Sequence, residues 1–193
     1  MSPHPAASAL TLPNQNMDPG MRLDVDAALD KLQRDTFGYF LRGINPANGL
    51  VINKTAPAWP ASIAATDLAL AGYPVSVKRG FMKRAAAVEQ QTLSTLRFFW
   101  NGSQGTKADA AEYQGFCLHF FDTQAGRRAS QCELSTVDST FLLAGALTAG
   151  VYFVADTADK DKVRTFAGAR YRRANWQWAQ DGGTTVTHGW KPG

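Results

Sequence analysis

YQGFCLHFFDTQAGRRASQCELSTVDSTFLLAG (residues 113–145) passes from alternating apolar and polar residues into a run with helical spacing, and this change of period decides the fold. Two short alternating segments, 115–122 and 127–133, flank Thr123-Gln124-Ala125-Gly126 and predict a hairpin. Ser135 stands where it can cap a helix running to about Phe153. The hairpin is the one strong strand signal, and the rest of the chain reads as helix.

Upstream, Asp24 is a plausible cap for a helix from Val25 to Leu41, with Leu29, Leu32, Phe37 and Phe40 at three- and four-residue steps. Asn45 to Gly49 is a turn, and Trp59-Pro60 precedes a helix from Ser62 to Ala71. Gly72-Tyr73-Pro74 is expected to stop that helix before a longer one from Ser76 to Trp100. Downstream, Asp159 to Ala179 reads as a fifth helix. Five helices and one hairpin predict a mainly all-α chain, a helical toroid or bundle.

With 193 residues, 45% apolar and 19% charged side chains, the chain can build one buried core. Its longest apolar run, 141–154, is broken by Gly145, Thr148 and Gly150 and falls short of the ~20 residues that span a bilayer, so no membrane partner is expected. The net charge of +4 is scattered. Its densest cluster, Arg170 to Arg173, lies in a helical pattern and reads as a solvated face, so no nucleic-acid partner is expected either. Two cysteines without a CxxC spacing call for no metal and no cofactor. Residues 1–22 are rich in proline and read as a disordered leader without an export signal, which points to the cytoplasm.

In a symmetric hairpin Cys117 falls opposite Cys132, His119 opposite Ser130 and Asp122 opposite Arg127. Glu133 sits at the strand-to-helix junction and Asp138 in the first helical turn, both near a positive helix end. Two carboxylates so placed can divide acid and base roles in glycoside hydrolysis, which needs ~6.5–9.5 Å between them when water attacks directly. Glu133 is the preferred general acid. His119, Asp122, Arg128 and Trp59 are candidate substrate contacts, Trp59 because a sugar face stacks on an indole. Plainer readings stand beside these: a hairpin-end ion pair for Asp122, a satisfied structural histidine, a strand-end charge for Glu133 and a helix-dipole partner for Asp138.

QRDTFGYF (33–40), NPANGLV (45–51), ASIAATDLAL (61–70), VKRGFMKRAA (77–86), GFCLHFFD with TQAGRR (115–128), ELSTVDSTFLLAGAL (133–147) and YRRANWQWAQDGG (171–183), taken in order, resemble the glycoamylase-like domain family of bacterial β-1,2-glucan hydrolases. The resemblance implies an (α/α)6 toroid with a carbohydrate pocket at one end, an inverting glycosidase activity, and an oligo- or polysaccharide partner of the β-glucan class. Such a ring takes a longer chain, so residues 23–193 are read as an incomplete, N-terminal half of the domain. The alternative is a non-catalytic helical remnant that self-associates or pairs with a complementing second-half chain. Asn53, Asp67, Cys117 and Leu118 depart from the family pattern, which has an aspartate, a small glycine and aromatics there; Asp67 is expected to set a charge against a neighbouring helix.

Overall fold

The computed structural model describes residues 19–107, 109–153 and 158–191. The leader expected over 1–22 lies outside the described residues as far as residue 18, and 19–22 open a helix. Contacts divide the chain into two units, Met1–Thr36 and Phe37–Gly193. The helix α1 (Pro19–Gly43) supplies all that is described of the first. Leu29 and Leu32, expected on a buried stripe, are exposed there, whereas Phe37 is buried in the second unit.

In the second unit the order is β1 (Ala61–Ser62), α2 (Ile63–Lys78), a π-helical turn Ala86–Thr92, α3 (Leu93–Asn101), β2 (Glu112–Tyr113), β3 (Phe116–Cys117), β4 (Phe120–Phe121), β5 (Leu134–Ser135), α4 (Thr136–Tyr152), α5 (Ala158–Arg173), α6 (Trp176–Ala179) and β6 (Gly189–Trp190). The chain is mainly helical, as its periodicity predicts. Among the described residues no helix is long and apolar enough to cross a membrane.

Ser62 and Ser135 cap α2 and α4 by accepting from the backbone N–H groups of Ala65 and Asp138. Both helices are apolar nearly all round, the signature of helices meant for burial, and they pack on each other. The core gathers Ile63, Leu70, Tyr73, Leu96, Phe99, Phe121, Leu142 and Phe153.

Pro74 does not end α2 as expected. Tyr73, Pro74 and Ser76 are buried, and that packing offsets the one backbone bond proline forfeits. The stop comes at Gly80, whose φ of +72° closes a Schellman turn in which Gly80 and Phe81 donate to Val77 and Ser76. The predicted helix from Ser76 to Trp100 is therefore interrupted near residue 80, resumes at residue 84 and passes through a π turn. Likewise Asn175 divides the predicted fifth helix, its side chain capping α6 through the Trp178 N–H.

The hairpin is a turn without a long ladder. Asp122 and Arg127, Phe121 and Arg128, and Phe120 and Ala129 pair as the symmetric register predicts. Ser130 and Gln131 then adopt φ of +57° and +48°, and Cys132 folds back to the carbonyl of Ala129. Beyond this bulge His119 pairs with Glu133 and Leu118 with Leu134, a slip of three residues. Cys117 is consequently not opposite Cys132, nor His119 opposite Ser130. The strands pair instead as β1–β4, β2–β3 and β5–β6.

Cys117 lies beside a buried ion pair. Glu112 on β2 and Arg170 on α5 are both almost fully buried, and Arg170 also donates to the Phe99 carbonyl (3.2 Å) and the Cys117 sulfur (3.1 Å). Burial pushes the Cys117 thiol far up, so it stays a neutral packing group. Gly115 lets this layer close on α5, because a Cβ there would come 2.5 Å from the Arg173 carbonyl oxygen.

Among the described residues the buried Tyr73 hydroxyl has no hydrogen-bond partner. Tyr73→Phe removes that unmet donor and keeps the ring, so its stability should match or exceed the wild type by up to about 1 kcal/mol. Urea titration checks this, and a loss beyond 1 kcal/mol would reveal a partner for the hydroxyl.

Candidate functional site

Three elements bring three of the candidate residues together. His119 enters β4, Glu133 precedes β5, and Asp138 occupies the first turn of α4. The slip at 130–132 carries Glu133 to His119, whose Nδ1 lies 3.1 Å from Glu133 Oε1 while its Nε2 lies 3.2 Å from Asp138 Oδ2. The imidazole thus bridges the two carboxylates, and its ring stacks on Phe120 at 4.0 Å between centroids. A neutral ring donates to one carboxylate only, whereas the imidazolium donates to both.

The three groups are graded in exposure: Glu133 is 47% exposed, His119 27% and Asp138 20%. Its own backbone N–H, the His119 ring and the positive charge of Lys191 hold the Glu133 carboxyl below the usual range. Glu133 is therefore an anion near neutrality, able to accept from a hydroxyl or a water. Behind this cluster, along the α2–α4 contact, burial pushes the Asp67 carboxyl up to about 7 against a lowering by the Gly145 N–H, with the charge of Asp138 adding a smaller rise.

Trp59, Asp122 and Arg128 do not join this cluster. The β1–β4 register, Ala61 with Phe121 and Ser62 with Phe120, carries Trp59 toward the hairpin turn and away from His119. Lys54 already sits over the Trp59 ring, 3.6 Å from its centroid. Asp122 forms no ion pair with Arg127; its Oδ1 accepts from the N–H groups of Gln124 and Ala125 and holds the turn. Arg128 donates to the carbonyls of Cys132 and Gln131 and so clamps the bulge that sets Glu133 in place.

Lys191 escapes sequence reasoning altogether. Its charge is felt at Glu133 because β6 pairs with β5, so closely that a Cβ on Gly189 would lie 2.5 Å from the Leu134 carbonyl oxygen. The Gly189-Trp190 pair beside a cation is its sequence signal: Trp190 anchors the strand on Tyr113, 5.0 Å between centroids. A separate cleft of about 860 Å³, lined in part by Asn48, Arg97, Asn101 and Arg127, shares no residue with the His119 cluster. That cleft is lined by Arg97, Asp109 and Arg127 but brings no pair of carboxylates together, so the functional reading stays with the cluster.

The chain is 26% identical over 157 residues to an exo β-1,2-glucooligosaccharide sophorohydrolase of Parabacteroides distasonis, covering 78% of this chain and 20% of that protein. It therefore spans about one fifth of the length of this curated relative. Among solved structures, a glucoamylase-like protein from Bacteroides uniformis superimposes with a TM-score of 0.75 at 25% identity, over 86% of this chain and 40% of that one. An endo-β-1,2-glucanase from Chitinophaga pinensis, solved with sophorotriose and glucose, gives 0.74 at 16% identity, over 86% and 41%. A β-1,2-glucanase from Parabacteroides distasonis gives 0.73 at 21% identity, over 85% and 23%. No family model matches the chain. In fold and in sequence, the chain resembles part of a glycoamylase-like domain.

Proposed function

We propose that this chain is a carbohydrate-active, glycoside hydrolase-like domain whose His119–Glu133–Asp138 cluster forms part of a site for β-1,2-linked gluco-oligosaccharides. One observation carries the reading: an imidazole links two carboxylates at 3.1 and 3.2 Å at the junction of a strand and a helix N-terminus. Across the width of that ring the carboxylate oxygens are no more than about 8.5 Å apart, compatible with the ~6.5–9.5 Å of an inverting pair. The relatives named for β-1,2-glucan chemistry support the substrate class.

Within that site Glu133 acts on the ionised side, accepting from a sugar hydroxyl or an attacking water. His119 positions it and ties it to Asp138. The ring also fills the gap between the carboxylates, so a water or sugar oxygen enters that gap only when the imidazole turns aside. Trp59, which stands apart from the cluster, offers a stacking face only to a sugar long enough to reach beyond it and to displace the Lys54 ammonium. Asp122 and Arg128 act through the turn and the bulge they hold.

The test is reducing-sugar release from β-1,2-glucan together with calorimetric binding of sophorotriose. Glu133→Gln and Asp138→Asn should each weaken binding by about tenfold or more and abolish any release, since each removes a charged hydrogen-bond partner. Binding that persists unchanged in both variants would overturn the site. A second reading, a helical module that works by association without turnover, is favoured by the exposed Leu68, Val75, Phe141 and Val151. Neither binding nor release by the chain alone would select it.

A further inference from the structure

The cleft of about 860 Å³ that lies apart from the His119 cluster runs along α3. Its volume falls within the roughly 300–1,000 Å³ of clefts that hold small molecules. Ser94, Arg97, Phe98 and Asn101 line it from positions i, i+3, i+4 and i+7 of α3, which share one face of a helix. The hairpin tip adds Gly126 and Arg127, and the loop before β2 adds Asp109.

Packing fixes these walls. Gly126, at a φ of +64°, lies so close to Phe98 that a Cβ there would come 2.6 Å from the ring, so the hairpin tip is seated on α3. Phe98 in turn packs edge-on against Phe99 and Phe121, at 5.0 and 5.6 Å between centroids. Asn45 and Asn48 donate to the Thr123 carbonyl at 2.7 and 3.0 Å and tie their own turn to the hairpin tip. At the other end, Gly102 meets Ala111, which brings the loop of Asp109 to the C-terminal end of α3.

The charges in the cleft lack partners. Arg127 is expected to pair with Asp122, but that carboxylate accepts from the N–H groups of its own turn. The charge of Arg97 reaches Asp159 on α5, yet Lys162 already holds that carboxylate at 2.9 Å. Among the described residues neither guanidinium has an ion pair or a hydrogen bond, and the side chains of Ser94, Asn101 and Asp109 make none. Polarity is graded along the cleft, with cations beside Phe98 and acceptors toward the end of α3.

We propose that this cleft binds an anionic sugar, its carboxylate or phosphate held by Arg97 and Arg127, its hydroxyls by Ser94, Asn101 and Asp109, with Phe98 as the apolar floor. Guanidinium forks match the oxygens of either anion. A simple anion would engage the arginines alone, and a neutral sugar would leave both cations unanswered. Asp109 accepts from hydroxyls and repels a second negative group. The negative end of the α3 dipole lies at Asn101, so the anion belongs at the arginines, at least one turn back.

Titration calorimetry on the full chain near pH 7.5 tests this with glucuronate, glucose 6-phosphate, glucose, acetate and inorganic phosphate. An anionic sugar should bind, and glucose and the simple anions should each bind about tenfold more weakly or worse. The tighter of the two anionic sugars identifies the charged group. Arg97→Gln and Arg127→Gln should each weaken that binding by about tenfold or more with unchanged circular dichroism. Both arginines are exposed, so if one variant fails to fold the other decides. None of these residues belongs to the His119 cluster, so the result stands whether or not sophorotriose binds there. No binding of either anionic sugar, glucose or the matching simple anion binding as tightly, or an affinity unchanged in a folded arginine variant would each overturn the proposal.

Discussion

Arg170→Met is expected to lower the stability of the fold by about 3–5 kcal/mol, because it strands a carboxylate in the core. Arg170 is 2% exposed and Glu112 1%, so water cannot take over the lost charge. The guanidinium holds both Glu112 oxygens and reaches the Phe99 carbonyl and the Cys117 sulfur, tying β2, β3 and α3 to α5. Arg173, at 3.6 Å, and Gln104 stay near the carboxylate and soften the loss without cancelling it. Glu112→Leu in the same background should recover most of the stability, since an apolar pair of similar volume incurs no charge desolvation. Urea unfolding of the two single variants and the double variant checks this; near-additive losses would show that the pair is not energetically coupled.

Asp67→Asn should stabilise the chain by roughly 2–4 kcal/mol near pH 8 and leave it unchanged near pH 4. Asp67 is buried in the α2–α4 contact, which pushes its carboxyl from 3.8 to about 7. The folded chain therefore binds this proton more tightly than the unfolded chain does. Stability falls as pH rises from about 4 to about 7 and is level above that, where the full cost of the buried charge is present. The amide keeps the shape and never ionises, so its advantage grows across that window. Thermal melts of dilute wild type and variant at several pH values measure it. A constant difference across the range would mean that Asp67 titrates normally.

The sequence makes the helical part of this fold legible because its signals are local. Ser62 and Ser135 are caps at the starts of apolar runs, and α4 ends where its periodicity ends. Pro74 and Gly80 mislead for a physical reason: proline's lost bond is small beside the burial around it, while the glycine that ends the helix sits in a basic stretch that looks helical. The buried Glu112–Arg170 pair joins residues 58 apart and leaves no local trace.

Glu133 and Asp138 stand out in the sequence as a pair, yet what joins them is hidden. Ser130 and Gln131 take left-handed backbone without glycine or asparagine to announce it, so the slip that brings Glu133 to His119 has no sequence signal. Asp122 and Arg128 look like site residues because they are polar and close in sequence, but their hydrogen bonds go to backbone. Lys191 arrives through a pairing of β5 with β6 across more than fifty residues.

The proposed function requires the His119 cluster to bind a β-1,2-linked glucan. Its most direct test follows the ¹⁵N resonances of the His119 imidazole by NMR while sophorotriose is added to the full chain. Saturable shifts at both ring nitrogens, absent with maltotriose and lost in Glu133→Gln and Asp138→Asn, are the predicted result. An imidazole that stays unmoved while the sugar binds elsewhere, or no binding at all, would contradict it.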